Sequence, residues 1–209
     1  MNKLCKDISE FKDIYKGSDL YILGSGASMN YIPKDFFENK ITIGINNIFR
    51  IFPVDFTVAH HFLLAQDCID SGCKLVISEY DTCYKKQALH NFNGRYWFYR
   101  HAEQSFTNLI INDDLPDTLT IGGTTAINAM SFAYHIGARN IIMCGVDGMR
   151  LFGLQNVTGY AAPTQDAHPQ NVQAMLLKYK KYLIDKGLNI VSINPFLNFK
   201  EFMEWYSLI

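Results

Sequence analysis

The residues best suited to chemistry on an anionic ligand stand at the ends of apolar runs. His168 closes a glycine-containing stretch and directly precedes Pro169, where a helical period begins. An imidazole held beside a rigid element suits proton acceptance near neutral pH, although a capping or surface histidine would occupy the same place. Gly24, Ser25, Gly26, Ala27 and Ser28 follow the run LYIL. Glycines there let backbone N–H groups approach a phosphate closely, and a tight strand-to-helix turn would use the same residues. The spacing is not GxGxxG, because Met29 stands at the third glycine's place, and no Gly-Lys-Ser/Thr follows for a P-loop. Asn46 and Asn47 end a second run and offer amides to a base, a sugar hydroxyl or a phosphate. Gly122, Gly123, Thr124 and Thr125 open a helical period, either as a cap or as a cleared helix mouth for an anion.

Other combinations carry less. His60 and His61 have Asp67 and Cys68 nearby, but adjacent residues of a strand point to opposite faces and chelate poorly together. One of these imidazoles is expected only to line a site. No Ser-x-x-Lys, Gly-x-Ser-x-Gly or His-Glu-x-x-His occurs, so neither a nucleophile elbow nor a zincin site is supported.

These residues need elements to position them. Residues 20–26, 41–47, 55–61, 74–80, 140–147 and 188–195 are short, β-branched-rich runs, and several end in Gly, Asn or Asp. Continuous apolar runs of this length suit strands buried on both faces, hence a mostly parallel sheet. Ala126, Ala129, Met130 and Ala133 repeat at helical spacing, as do Val172, Met175, Leu176, Tyr179 and Leu183, with Gly137 and Gly187 as stops. The alternation predicts one α/β domain over residues 1–209: a single open, mostly parallel, Rossmann-like sheet with helices on both faces. Residues 81–121 break the pattern and read as an insertion carrying a helix or hairpin. Residues 148–168 follow a strand ending in Gly145-Val146-Asp147. A loop of that length at a strand's C-terminal end is expected to be a lid.

Composition narrows the function. The 209 residues carry 19 Lys+Arg and 20 Asp+Glu for a net charge of −1, without the basic excess of a phosphate-dominated nucleic-acid binder. With 48% hydrophobic and 19% charged residues, an ordinary core is within reach. Cys5, Cys68, Cys73, Cys83 and Cys144 make an odd set with no Cys-x-x-Cys, and the first residues lack the apolar core of a secretory signal. A reducing cytoplasm is the expected location. No run reaches the roughly 18 apolar residues of a spanning helix. The aromatic clusters at 96–100 and 196–209 suggest contacts with a second copy or with the inner face of a membrane, core packing being the more ordinary use.

In order along the chain, ILGSGASM, IGINN, GGTTAINAMSFAYHIGARNIIMCGVDG and DAHPQNVQAMLLKYKKYLIDKGLNIVSINPFLN resemble segments of the bacterial sialyltransferases of glycosyltransferase family 42. The related motility accessory factors and archaeal 6-hydroxymethylpterin pyrophosphokinases share the pattern. The resemblance runs from Tyr21 to about Phe202. It implies a glycosyltransferase of bacterial surface-glycan synthesis that takes a CMP-activated, sialic-acid-like sugar as donor and a glycan as acceptor, with no metal or other cofactor required. Carried over by residue, it puts Gly24, Ser25, Gly26 and Ser28 at the phosphate loop, Asn46 at the nucleotide, Gly123, Thr124 and Thr125 at the helix mouth, and Asp147 at a strand end. Asn194 and Pro195 fall beside His168, which takes the place of the general base. The sialyltransferases hold the leaving phosphate with loop tyrosines; here Met149 and Gln155 stand in those places, and Arg150 and Tyr160 of the same loop are assigned that task. Their Arg before the Thr/Ser pair has no counterpart in TLTIGGTT. The pyrophosphokinase branch implies instead Mg²⁺ held by Asp147 with Asp166 or Asp55, and a third expectation is a nucleotide-binding protein without catalysis.

Overall fold

The computed structural model describes residues 5–81, 86–87, 92–100, 108–147, 154–160 and 169–193. Runs with no polar face suit strands covered on both sides. They form the middle of an open eight-stranded sheet in which every pairing is parallel. The strands among the described residues are β1 (Cys5–Asp7), β2 (Ser18–Leu23), β3 (Ile41–Ile45), β4 (Phe56–Ala59), β5 (Lys74–Ser78), β6 (Tyr80–Asp81), β7 (Lys86–Gln87), β8 (Tyr96–Tyr99), β9 (Ala138–Cys144) and β10 (Asn189–Ser192). Among the described residues the helices are α1 (Ala65–Asp70), α2 (Thr125–His135) and α3 (Pro169–Asp185). Strand order in the large sheet is β1-β8-β5-β4-β3-β2-β9-β10, while β6 and β7 pair separately and antiparallel.

Successive residues of each strand feed different layers. Leu20, Ile22, Ile43, Ile45, Ile141 and Met143 join the core under α2 and α3, whereas Leu23, Ile142 and Cys144 join a second cluster on the opposite face. On the first face α2 buries Ala126, Ala129, Met130 and Ala133, the same residues whose spacing marks the helix in the sequence. The second face is covered by α1 and by 3₁₀ turns at Ala27–Tyr31, Lys34–Phe37 and Asn46–Arg50. Pro33 and Pro53 sit in these connections, where a proline limits helix growth.

The chain moves outward from β2 through β3, β4, β5 and β8, then returns to the other side of β2 for β9 and β10. The direction therefore reverses between β2 and β9. Within the stretch the sequence marks as an insertion, residues 96–99 form β8 of the main sheet, with Tyr96, Trp97 and Tyr99 buried. Those three aromatics are core residues. The edge strand β1 carries the sequence Cys-Lys-Asp and lacks a hydrophobic signal. The C-terminal aromatic cluster lies outside the described residues, among which no helix is long and apolar enough to cross a membrane.

Candidate functional site

Open α/β sheets present a crevice outside the carboxyl ends of their strands where the chain direction reverses. Leu23 pairs with both Gly44 and Cys144, and Gly44 pairs with Thr57, so β2, β3, β4 and β9 leave the sheet at nearly one level. Just beyond that level come Gly24–Ser28, Asn46 and Asn47, His60, and Gly145–Asp147. Because α2 leads into β9, its N-terminus with Thr124 and Thr125 lies at the same edge.

The two loops at the reversal are fastened to each other. Gly24 N–H donates to the Cys144 carbonyl and Gly26 N–H to the Gly145 carbonyl, both at 2.7 Å. The Asp147 carboxylate accepts from Ser28 N–H at 2.8 Å and from the Ser28 hydroxyl at 2.6 Å. A Cβ on Gly24 would overlap the Gly145 carbonyl, and one on Gly26 would overlap the Asp147 carboxylate. The structure thus uses Gly24, Gly26, Ser28 and Asp147 to dock one strand-end loop on the other. Burial pushes the Asp147 carboxyl above its ordinary value, and the two Ser28 hydrogen bonds pull it only partly back.

Ser25 faces elsewhere. Its hydroxyl donates to Asn156 Oδ1 at 3.2 Å, its carbonyl accepts from Val157 N–H at 2.8 Å, and Thr158 N–H donates to Asn30 Oδ1 at 2.9 Å. Val157 is buried in the cluster that includes Leu23, Met29 and Cys144. Residues 154–160, the described part of the expected lid, are therefore laid across the crevice mouth. Tyr160 ends this arm; its hydroxyl pairs with the Ser25 hydroxyl and accepts from Asn47 N–H, and burial pushes the phenol's pKa above its ordinary value. Ser25, Tyr160 and the Asn46-Asn47 pair are brought together, whereas Gln155 is exposed.

Asn46 is the least comfortable residue at this edge. It has a φ of 52°, in the left-handed region, and its buried Oδ1 has no hydrogen-bond partner among the described residues. Strain and an unsatisfied acceptor in one residue at a strand's C-terminal end are features that collect at ligand sites.

The helix mouth divides into two roles. Thr124 is the N-cap, with its hydroxyl accepting from Ala126 N–H at 3.3 Å, so the capping use accounts for it. Thr125 and Gly123 are half-buried and stand at the opening, while Gly122 makes room for Ile127, Leu109 and Met175. One turn into α2 lies a residue that sequence reasoning passed over. Asn128 is fully buried, donates through Nδ2 to the Thr120 carbonyl at 2.9 Å, and turns Oδ1 to His60 Nε2 at 3.0 Å. A carbonyl only accepts, so Oδ1 must face the ring and Nε2 must donate to it. The available signal was an amide inside the otherwise apolar face of TAINAMSFAYH. Tyr99 places its ring edge-on to the same imidazole at 5.9 Å.

Of the other expected residues, His168, Arg150, Asn194, Pro195 and Asp166 lie outside the described residues. α3 starts at Pro169 and leads into β10, so it begins at the crevice edge. Asp55 stands at the opposite edge, before β4, where its carboxylate accepts from Thr42 N–H at 2.8 Å. It cannot join Asp147 around a cation. Among the described residues no three His, Cys, Asp or Glu side chains form a metal-binding group.

No family model, curated protein or solved structure matches this chain.

Proposed function

We propose that the crevice between β2, β3 and β9 binds the nucleotide of an activated sugar and that the protein is a glycosyltransferase using a CMP-sialic-acid-like donor in bacterial surface-glycan synthesis. The observation that supports nucleotide binding most directly is Asn46, whose left-handed backbone and Oδ1, unpaired among the described residues, suit an exocyclic amino group or a sugar hydroxyl as the missing donor. The Ser25 and Tyr160 hydroxyls and the mouth of α2 supply polar groups for the phosphate beside it. The choice of CMP-sugar over other nucleotides rests on the resemblance of the four sequence segments, as does the role of His168.

Transfer through an oxocarbenium-like transition state needs a deprotonated acceptor on one side and a stabilised leaving phosphate on the other. His168, next to the first residue of α3, takes the acceptor proton; Tyr160, Arg150 and Thr125 serve the leaving group. The test is a thermal-shift panel of CMP, UMP, UDP, GDP and ATP, each with and without Mg²⁺, followed by assay of sugar transfer. CMP should stabilise the protein without metal, by about 2.7 kcal/mol at a hundredfold excess over its dissociation constant. Stabilisation by ATP with Mg²⁺ alone would move the protein to pyrophosphoryl transfer. His168→Ala should then keep CMP binding and lower transfer roughly 10²- to 10⁴-fold; an unchanged rate would remove His168 from the chemistry.

A further inference from the structure

At the other edge of the sheet, where β4 and β5 begin, two cysteines that the sequence separates by a helix end and a Ser71-Gly72 turn meet in space. Cys68 lies in α1 and is fully buried; Cys73 directly precedes β5 and is half-buried. Both side chains pack in one apolar cluster behind β5, where each thiol shifts the other's ionisation, and the Thr57 hydroxyl lies 3.1 Å from Cys73 Sγ. Cys73 also forms part of the wall of a groove of about 350 Å³ lined by residues 49–54 and 71–73. That groove is large enough to admit a small organic molecule. Cys73 thus stands beside an approach path while Cys68 is shielded behind it.

We propose that Cys68 and Cys73 form a thiol–disulfide exchange site that takes a low-molecular-weight disulfide through this groove. The Cys73 thiolate attacks one sulfur of the incoming disulfide, forms a mixed disulfide and releases the other half as a thiolate, which takes a proton from water. Cys68 then gives up its proton to solvent and attacks the Cys73 sulfur. The intramolecular disulfide forms, the second small thiol leaves, and the two electrons lost by the protein have reduced the incoming disulfide to two thiols. The order of attack follows from the surroundings. Hydrogen bonds from Cys68 and Thr57 hold the Cys73 thiol below its ordinary value, with Lys74 assisting and burial and Asp55 opposing. Cys68 is raised by its bond to Cys73 and by burial. Cys144 is an internal control, since burial pushes it up to about 12 and it lies on another strand.

The experiment treats the native protein with oxidised glutathione, alkylates the remaining thiols and maps the cysteines by mass spectrometry. Cleavage after Arg50 and Lys74 releases Cys68 and Cys73 in one peptide with no other cysteine. The parent should yield that peptide two hydrogens lighter and free of glutathione. Cys68→Ser should stop with glutathione on Cys73, and Cys73→Ser should leave Cys68 unmodified and alkylated only after unfolding. Alkylation of both cysteines in the treated parent, or an unmodified Cys73 in a folded Cys68→Ser, overturns the proposal. If either variant fails to fold, the parent peptide alone decides. None of these readouts depends on nucleotide binding.

Discussion

Asn46 carries two penalties that nothing among the described residues offsets. A left-handed backbone costs most non-glycine residues about 1–2 kcal/mol and asparagine less, and a buried acceptor without a donor costs a further amount of about 1–3 kcal/mol. Asn46→Gly should therefore fold at least as stably as the parent by urea denaturation while losing the stabilisation that CMP confers. A glycine variant that still responds to CMP would show that Asn46 serves the turn only. Asp147 is a second residue whose state can be read out. Its folded carboxyl titrates above the ordinary 3.8 because it is buried. Below 3.8 both folded and unfolded forms are protonated and burial carries no charge penalty; the penalty grows as pH rises through the folded value. Relative to Asp147→Asn, which keeps an acceptor for Ser28 N–H, the parent should lose stability over that rise. Parallel pH profiles for the two proteins would contradict the shift. The sequence exposed Asp147, Ser28 and the glycines as residues of interest from their places at strand ends. It could not show that they hold each other, because the pairing joins loops far apart in the chain.

The arm at 154–160 is the described part of the loop that follows β9. Its anchor is Val157, buried against Leu23 and Met29, and its tip is Tyr160 on Ser25 and Asn47. Val157→Ser should loosen this arm locally, since each buried CH₂ is worth about 0.8 kcal/mol. Faster amide exchange at 157 and 158 with an unchanged urea midpoint is the expected result; a fall in the midpoint would mean that the arm belongs to the cooperative core. Thr125→Val probes the neighbouring helix α2. Thr124 already supplies the cap, so the variant should melt with the parent and bind CMP more weakly; a variant that binds normally would leave the helix mouth without a ligand role. Helices α2 and α3 were readable from period, as the spacing of Ala126, Ala129, Met130 and Ala133 shows, and the central strands from short apolar runs, whereas the six-residue α1 gave no period. The arm was not, because its hold depends on one valine and on hydrogen bonds to Ser25 and Asn30. Strand β8 was hidden for a related reason: YWFY is uniformly apolar and aromatic, and alternation cannot distinguish such a run from a surface cluster.

At the scale of the whole molecule, α2 ties the sheet to the start of the chain. His135, in its last turn, donates through Nε2 to the Ile8 carbonyl at 2.8 Å, and burial holds its imidazole below the ordinary 6.5. A folded state that resists protonation loses stability as pH falls below 6.5 and levels off once the folded value is passed. The urea midpoint of the parent should fall in that direction, and His135→Gln should flatten the fall; an equally steep variant would place the acid sensitivity elsewhere. The same region sets an order of assembly. Cys5 pairs with Tyr96 and Asp7 with Phe98, so β1 has no neighbour until β8 exists. Phe11 packs on Phe56, Trp97 and Phe132, three rings drawn from β4, β8 and α2. During synthesis Ile8 and Phe11 would leave the ribosome well before Trp97 and Phe132 and would stay uncovered until those residues follow. A slow final phase in refolding, sensed by Trp97 and lost when Phe11 is replaced by Ser, would be the kinetic trace of that wait.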